Sequence, residues 1–450
     1  MTRRRRGARG AGLAAGVAAA LLLAACGGGD SSTTDAVGNS GGSDDTPMAS
    51  DPSAEVVVWT DGVREPMVKA YIDAHPDANI KLVTVPQDSG YVSTKVQLAN
   101  RVEKGWPDVV FLADSPEIAA LAAAPYDFAQ PLDELVDKEV IEDFAPGTLV
   151  NCTFDGKTYC LQNDIAQTVL WYNAKLMEDF GYEVPTTWAE YAALGEKVAA
   201  EHPGYVIGAM GDHNMMIAYY QASGCPMRDT IASDKVHIDV EDPTCTRVND
   251  LVQPLIDNGT VPTVSIFDPP FAELGVQNKI LMLPGASWMG DFVFKDTYQT
   301  PPGQLAAAPM PAWEGEDAGY SGAVGGGVWS VSKHAKNVEG AVDLITWLTT
   351  DVSIQDQQPT YPANMTAAAS WSINKEADPY YAENPIPVFE TQAGLIRDNW
   401  KFTRYSTVAT NQWNELVVSG LKDGKTLSEL VPAYGEELKK AAEMAGYTVE

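Results

Sequence analysis

This 450-residue sequence lacks the motifs that mark common exported enzymes and metal centres. The sequence after residue 53 contains no HExxH, no GxSxG and no GxxxxGK[ST], which serve zinc hydrolysis, serine hydrolysis and phosphate binding. Its five histidines show no ligand spacing, and there is no CxxC. Basic residues are scarce, since 30 Lys and Arg stand against 61 Asp and Glu, a formal net charge of −31. These absences argue against a hydrolase, a metal centre, and surface binding of nucleic acid or anionic lipid.

The first 26 residues have the parts of an export signal. A basic start, MTRRRRGARG, precedes the apolar run 11–25, which is too short to span a membrane as a stable helix. Leu23-Ala24-Ala25-Cys26 then resembles the lipobox of bacterial lipoproteins, where the cysteine thiol receives a diacylglycerol and becomes the new N-terminus. A plain signal with a chance cysteine is the alternative. We expect residues 1–25 to be removed, and Cys26 to anchor the chain at the outer face of the cell membrane. Residues 26–53, rich in Gly, Ser, Thr and Asp, are expected to form a flexible tether.

The remaining cysteines indicate disulfides. Lipidation of one of the five cysteines leaves four: Cys152, Cys160, Cys225 and Cys245. Four cysteines can form two disulfides in three ways. The segment CTFDGKTYC predicts a hairpin with a three-residue loop, 155–157, that brings Cys152 opposite Cys160. Cys225 and Cys245 then pair by default. A zinc site is the alternative, but an oxidising compartment favours disulfides, and no metal is expected.

Strand and helix patterns alternate after residue 53. Short β-branched or apolar runs predict strands at 54–60, 80–86 and 107–113, and apolar residues at helical spacing predict helices at 65–76 and 91–105. The third strand is apolar nearly throughout, so we expect it to be buried on both faces. This order predicts an α/β fold with parallel strands. Further helices are predicted at 186–202, with Thr187 and Glu190 forming a capping box, and at 337–350, 408–421 and 426–446.

Several segments in order carry a family resemblance: GWPDVVFLADSPEIAAL, FDGKTYCLQND, LWYNAKLMEDFGYEVPTTWAEYAAL, KILMLPGASWMGDF and GGGVWSVSKHAKNVEGAVDLITWL. Together they resemble the extracellular solute-binding proteins of carbohydrate ABC importers, of the maltose-binding type. The resemblance implies a two-lobed, periplasmic-binding-protein-like α/β fold with a ligand cleft between the lobes and three chain crossings. Carried onto this sequence, one lobe comprises 54–164 plus 286–332, and the other 165–285 plus 333–450.

The resemblance also implies a function. We expect a lipid-anchored monomer, not an enzyme and without cofactor, that closes around a di- or oligosaccharide and delivers it to the permease subunits of an ABC importer. Two alternatives stay open: a cationic or peptide-like solute in the same fold, and an exported hydrolase. Carboxylates that converge without amide donors favour a cation, whereas amides with tryptophan platforms favour a sugar.

The first candidates for ligand contact lie at the ends of three strands: 54–60, 107–113 and a strand that ends at 162–164, near the first chain crossing. Ligands bind beyond the carboxyl ends of strands in open parallel sheets. These candidates are Trp59, Asp61, Asp114, Ser115 and Asp164. Carboxylates suit the hydroxyl pairs of sugars. Four of the five have a structural alternative. Asp114 is also placed to cap a helix, and Asp164 to act as a hinge residue bonded to backbone. Asp61 is also placed to stabilise a turn, and Trp59 to pack in the core.

The second group of candidates follows from the resemblance: His213, Asn214, Trp288, Gly326, Trp329, Tyr361 and Trp371. It implies a stacking aromatic at Trp288, a close backbone approach to the ligand at Gly326 with Trp329 nearby, and a cleft-bordering loop between Tyr361 and Trp371. The alternatives are core packing for the aromatic residues, a structural role for the histidine, and tight hinge packing for the glycine.

Overall fold

The computed structural model of the chain describes residues 50–86 and 90–450. The predicted leader, Cys26 and most of the predicted tether lie outside the described residues. None of the helices within the described ranges has the length and apolar character that a membrane crossing requires.

The predicted parallel strands belong to a five-stranded sheet, which we call the first sheet. Its spatial order is Ile80–Thr84, Val56–Thr60, Val109–Leu112, Val328–Val331 and Leu161–Gln162. Val56–Thr60 pairs in parallel with both of its neighbours, as predicted. Val109–Leu112 is buried throughout, which confirms the expectation of burial on both faces. Val328–Val331 enters antiparallel from far along the chain, between Val109–Leu112 and Leu161–Gln162.

A second sheet of three strands is antiparallel. Its order is Met282–Ala286, Thr168–Asn173 and Leu305–Ala308. The central strand is buried along its whole length. Smaller sheets join Thr448–Val449, Lys235–His237 and Asp229–Ala232, and pair Tyr361–Pro362 with Asp164–Ile165. The second sheet was not predicted, because its strands are continuous apolar runs whose pairing has no local signature.

Helices surround both sheets. Those packed on the first sheet include Glu65–Ala74, Tyr91–Val102, Ile118–Leu121 and Val338–Thr350, and Lys138–Glu142 is a further short helix. The others are Ala174–Phe180, Trp188–Glu201, His213–Met216, Pro243–Asp257, Pro269–Val276, Val352–Gln355, Met365–Lys375, Ile386–Ala393, Ser406–Gln412, Ser419–Lys422 and Leu427–Met444. The capping box of Thr187 and Glu190 is confirmed. The helix predicted at 408–421 contains a π-helical stretch, Trp413–Val418.

The division of the chain between two lobes stays a prediction, but sheet membership places two segments elsewhere. Leu305–Ala308 was assigned to the lobe of the first sheet, yet it hydrogen-bonds to Thr168–Asn173 of the second. Val338–Thr350 was assigned to the other lobe, yet it packs on Val328–Val331 and Glu65–Ala74. Both placements depend on contacts between residues far apart in sequence, which motif spacing does not reveal.

Two disulfides form as predicted, Cys152–Cys160 and Cys225–Cys245. The first flanks a hairpin of Thr153–Phe154 and Lys157–Thr158. Its loop has two residues, Asp155 and Gly156, and not the predicted three. Both have positive φ, 50° and 76°, as a tight turn of this kind requires.

Candidate functional site

Two adjoining cavities lie between the ends of the first sheet and the helices around the second. The smaller, of about 370 Å³, is lined by Asp114, His213, Asn214, Arg228, Phe267, Trp288, Gly325, Trp400, Lys401 and Phe402 among others. The larger, of about 740 Å³, is lined by Gln162, Ile165, Tyr361, Met365, Glu390, Arg397 and Asp398 among others. The two share Asn151, Gln221, Ala323 and Trp400, so we treat them as one cleft. Their sizes suit a small organic ligand.

Asp114 lies on the wall of the smaller cavity. It follows the buried strand Val109–Leu112 and precedes the short helix Ser115–Glu117, which its side chain does not cap. The alternative role of helix cap is therefore not the one that the structure shows. Ser115 is fully buried, and its Oγ has no hydrogen-bond partner within the described residues. Of the two candidates at this strand end, only Asp114 is placed to meet a ligand.

Arg64 holds the other two predicted carboxylates away from the cleft. Asp61 accepts a hydrogen bond from the Arg64 backbone N–H at 2.7 Å and from its Nη1 at 3.3 Å. Arg64 Nη2 lies 3.9 Å from Asp164 Oδ1, and the guanidinium carbon lies 4.7 Å from the Phe111 ring centroid. Neither carboxylate lines either cavity. Asp61, Arg64 and Asp164 therefore form an ion network. It joins the end of the strand Val56–Thr60 to the crossing segment, residues 163–167, which connects the two sheets.

Asp164 is bonded to backbone, as the alternative considered from the sequence required, and its place in a hinge stays a prediction. It is 2% exposed, and its Oδ1 accepts hydrogen bonds from Asn163 Nδ2 at 3.0 Å and from the Gly327 N–H at 3.2 Å. Burial raises the pKa of the Asp164 carboxyl above its ordinary value, and the Arg64 guanidinium opposes that rise. Breaking this network leaves a buried carboxylate without its cation.

His213 and Asn214 lie on the cleft wall, as predicted. They begin the helix His213–Met216, whose N-cap Asp212 accepts the Asn214 N–H at 3.0 Å. The other oxygen of Asp212 accepts from Ser265 Oγ and the Ile266 N–H. Burial lowers the pKa of the His213 imidazole, although the carboxylates of Asp212 and Asp114 oppose the shift. The ring is therefore neutral at pH 7, and it offers both a hydrogen-bond donor and an acceptor.

Trp288 forms an aromatic platform on the cleft wall. It follows Met282–Ala286, and its indole Nε1 donates to the Val324 carbonyl at 2.7 Å, which fixes the ring. The Phe267 ring lies nearly parallel to it, with centroids 6.4 Å apart and an interplanar angle of 9°. Phe267 is 53% exposed. A sugar ring presents a C–H face that suits such aromatic surfaces.

Three candidate tryptophans, Trp59, Trp329 and Trp371, do not line either cavity. Trp329 is fully buried, packs 4.9 Å from the Phe111 ring and donates to Asn163 Oδ1. Trp371 is 3% exposed, and its indole donates to the Gln358 carbonyl. Trp59 packs against the core of the first sheet. Trp329 and Trp371 take the alternative role of core packing, and Trp59 packs against the core while it stays partly exposed.

Gly326 is also a packing residue. Its φ is 86°, and a Cβ there would lie 2.6 Å from Gln162 Nε2 and 2.9 Å from the Asp164 carbonyl oxygen. The close approach is therefore to the crossing segment, and not to the cleft. Its neighbour Gly325 lines the smaller cavity. Tyr361 lines the larger cavity, with Trp371 behind it at 5.5 Å and 90°.

Most residues of the cleft wall were not among the candidates from the sequence. The missed residues include Asn151, Gln221, Arg228, Phe267, Trp400 and Lys401. Arg228 lies over the Trp400 ring, with 4.7 Å from the guanidinium carbon to the ring centroid. The run Trp400-Lys401-Phe402 has a composition that suits a ligand site, but no recognised motif covers it. Within the described residues, no group of three or more His, Cys, Asp or Glu is arranged to hold a metal ion.

Comparison with known proteins shows the family. A family model described as bacterial extracellular solute-binding protein matches residues 58–354, more than half of the chain. The arabinooligosaccharide-binding protein of Bacillus subtilis (strain 168) is 24% identical over 305 residues, which is 65% of this chain and 68% of that protein.

Solved structures show the same fold. The galacto-N-biose-/lacto-N-biose I-binding protein of an ABC transporter from Bifidobacterium longum, in complex with lacto-N-biose, has a TM-score of 0.74 at 20% identity, over 91% of this chain and 100% of that one. An ABC transporter associated binding protein from B. animalis subsp. lactis Bl-04, in complex with β-1,6-galactobiose, has a TM-score of 0.74 at 19% identity, over 88% and 99%. The fold is thus the two-lobed fold of sugar-binding proteins of the maltose-binding type, and the chain belongs to the family of bacterial extracellular solute-binding proteins.

Proposed function

We propose that this chain is the carbohydrate-binding component of an ABC importer, and that the cleft binds a di- or oligosaccharide. The observation that carries the proposal is the platform of Trp288 and Phe267, on one wall with the amide of Asn214. Aromatic faces for C–H surfaces beside amides for hydroxyls are what a sugar ring requires. The named ligands of the compared proteins, arabinooligosaccharide, lacto-N-biose and galactobiose, support the same class.

A cationic solute is less well supported. That alternative depended on three convergent carboxylates, but Arg64 neutralises Asp61 and Asp164. In the smaller cavity the remaining carboxylate, Asp114, lies with two cations, Arg228 and Lys401. A polyamine would therefore meet repulsion in the smaller cavity. The relatives are binding proteins, which supports binding without conversion of the ligand.

Hinge closure is the proposed mechanism. The chain passes from Leu161–Gln162 of the first sheet to Thr168–Asn173 of the second through five residues, 163–167, a short connection that suits a hinge. A ligand that touches Asp114 on one side and Trp288 on the other binds the closed form better than the open form. That difference in affinity shifts the population towards closure. We propose that the closed form is then recognised by the permease subunits.

Lipid anchoring through Cys26 is part of the proposal. In the producing bacterium, the intact chain should incorporate a labelled fatty acid and partition into detergent, whereas the Cys26→Ser variant should do neither. The control is Cys152→Ser, which leaves the predicted lipobox unchanged. An intact chain that runs as a soluble, unacylated species overturns the anchoring proposal.

Replacing Trp288 by alanine is expected to weaken sugar binding by about 30-fold or more, the loss that truncation of a central aromatic contact causes. The measurement is calorimetric titration of the unacylated Cys26→Ser protein, after thermal-shift screening of mono- and oligosaccharides, polyamines and peptides. A ligand at about 1,000 times its Kd adds roughly 4 kcal/mol to stability, so a binder is detectable.

Trp106→Ala is the matched control, because Trp106 stacks on His334 at 3.8 Å and lines neither cavity. Its sugar affinity should equal that of the parent. A screen in which only polyamines or only peptides stabilise the protein overturns the carbohydrate proposal. Unchanged affinity in Trp288→Ala places the sugar elsewhere.

A further inference from the structure

Arg228 is a half-buried cation that pairs with no carboxylate in the part of the chain that the structure describes. It follows the disulfide-bonded Cys225, and its guanidinium lies over the Trp400 ring on the wall of the smaller cavity. Within the described residues, it forms no hydrogen bond or ion pair. Its guanidinium keeps access to water in this structure. Removing a guanidinium from water without an anion costs free energy, so such groups are normally paired when they become buried.

The other partly buried arginines are engaged. Arg64 binds Asp61 and Asp164. Arg247 and Arg397 both bind Glu316, at 2.7 Å and 2.8 Å. Arg404 Nε donates to the Ala445 carbonyl at 3.0 Å. Among the partly buried arginines of the described ranges, Arg228 alone faces a cavity without an acceptor.

The charge of the smaller cavity contrasts with that of the chain. The sequence has a formal net charge of −31, yet this cavity is lined by two cations, Arg228 and Lys401, and one carboxylate, Asp114. His213, the remaining titratable group on this wall, is neutral because burial lowers its pKa. Lobe closure would exclude water from these cations and raise the cost of leaving them unpaired.

We propose that the ligand is an acidic carbohydrate, an oligosaccharide in which at least one sugar bears a carboxylate, and that this carboxylate pairs with Arg228. The inference rests on the proposed function and specifies its substrate class. The planar guanidinium can donate two parallel hydrogen bonds to a carboxylate, and it lies over the Trp400 ring on the cavity wall. Lys401 supplies a second positive charge nearby. Asp114, the carboxylate-bearing residue on this wall, would face the sugar hydroxyls.

The test compares matched sugars on the Cys26→Ser protein by calorimetric titration. Each neutral oligosaccharide is paired with a counterpart in which the C6 hydroxymethyl groups are replaced by carboxylates, for example α-1,4-galactobiose with α-1,4-digalacturonate. We expect the strongest binder to be an acidic member, at least 10-fold tighter than its neutral counterpart. Its affinity should fall as salt rises, because salt screens the ion pair.

Arg228→Gln identifies the residue that reads the carboxylate. It should weaken binding of the acidic sugar about 30-fold or more, the loss that follows removal of one partner of a desolvated charge pair. Binding of the neutral counterpart should change by less than about 3-fold, so the cycle of two sugars and two proteins isolates the pair. Arg228→Lys should recover part of the affinity. Arg101→Gln, on the exposed face of Tyr91–Val102, is the control and should bind both sugars as the parent does.

The outcomes distinguish failure of the acidic-ligand inference from failure of the proposed carbohydrate-binding function. A neutral sugar that binds best, without gain from a carboxylate, overturns the inference and leaves the carbohydrate function in place. Equal losses for both sugars in Arg228→Gln also overturn it, because they show a contact with hydroxyls. Binding of no carbohydrate of either class overturns both. If Arg228→Gln does not fold, the salt dependence and the Arg228→Lys variant decide the question by the same criteria.

Discussion

Replacing Arg64 by methionine is expected to lower the free energy of unfolding at pH 7 by about 3–5 kcal/mol, the cost of removing one partner from a buried ion pair. The variant keeps the apolar stem that packs near Phe111 but removes the guanidinium shared by Asp61 and Asp164. Asp164 is 2% exposed, so water cannot replace the lost cation. The remaining hydrogen bonds from Asn163 and the Gly327 N–H solvate only part of its charge.

The loss should depend on pH with a definite sign. Burial raises the pKa of Asp164 in the folded state, so the folded protein binds this proton more tightly than the unfolded chain does. The contribution of Asp164 to stability is therefore greatest in acid and is lost as pH rises through the folded pKa. Removing Arg64 raises that pKa further. The difference between variant and parent should thus be small near pH 4 and grow towards pH 7.

Urea denaturation, followed by tryptophan fluorescence and far-UV circular dichroism, measures both effects. Adding Asp164→Asn to the Arg64→Met variant should recover much of the loss at pH 7, because an asparagine oxygen can still accept the Gly327 N–H. Arg101→Met, an exposed arginine, is the control for the change of residue type. Equal stability of Arg64→Met and the parent at pH 7 contradicts a role for Arg64 in neutralising the crossing segment.

Gly211→Ala is expected to lower the free energy of unfolding by about 3 kcal/mol, the upper part of the range for overpacking a buried site. A Cβ at this position would lie 1.9 Å from the Val264 carbonyl carbon, 2.1 Å from its oxygen and 2.3 Å from the Ser265 nitrogen. These are backbone atoms, so no side-chain rotation relieves the overlap. The two segments must separate, which breaks the hydrogen bonds that Asp212 accepts from Ser265 and Ile266.

Separation of the segments around Gly211 and Val264 should also displace residues of the cleft wall. Asp212 caps the helix that begins with His213 and Asn214, and Phe267 follows Ile266. We therefore expect Gly211→Ala to lower both the thermal unfolding temperature and the affinity for sugar, measured by calorimetry. Gly62→Ala is the matched control, because no atom lies within 4 Å of its Cβ position, and it should leave both unchanged. A fully stable Gly211→Ala protein contradicts the close approach of these two segments.

Local structure was predictable where it depends on neighbours in sequence. The capping box of Thr187 and Glu190, the helix Glu65–Ala74 and the strand Val109–Leu112 formed as their patterns indicated. The pairing of Cys152 with Cys160 was predictable for the same reason, because a hairpin joins them. The bounds of elements and the length of the hairpin loop were less accurate, since they depend on packing at the ends.

The cleft was predictable in part. Asp114, His213, Asn214 and Trp288 line the smaller cavity as expected, because each directly follows a strand or begins a helix. Trp59, Trp329 and Trp371 do not, although their residue type was the same as that of Trp288. Whether a tryptophan faces a core or a cleft depends on which side of its element meets the other lobe, and a single sequence does not contain that information.

The sequence by itself determined the α/β alternation, the two disulfides and the family, because these depend on local periodicity, on spacing and on the order of motifs along the chain. The tertiary structure alone decided three other features. The strand Leu305–Ala308 pairs with the second sheet. Asp61 and Asp164 pair with Arg64 and do not line the cleft, whereas Arg228 does. Each depends on which groups meet across long stretches of sequence. Such meetings are set by packing and by the pairing of buried charges over the whole chain, and no local pattern records them.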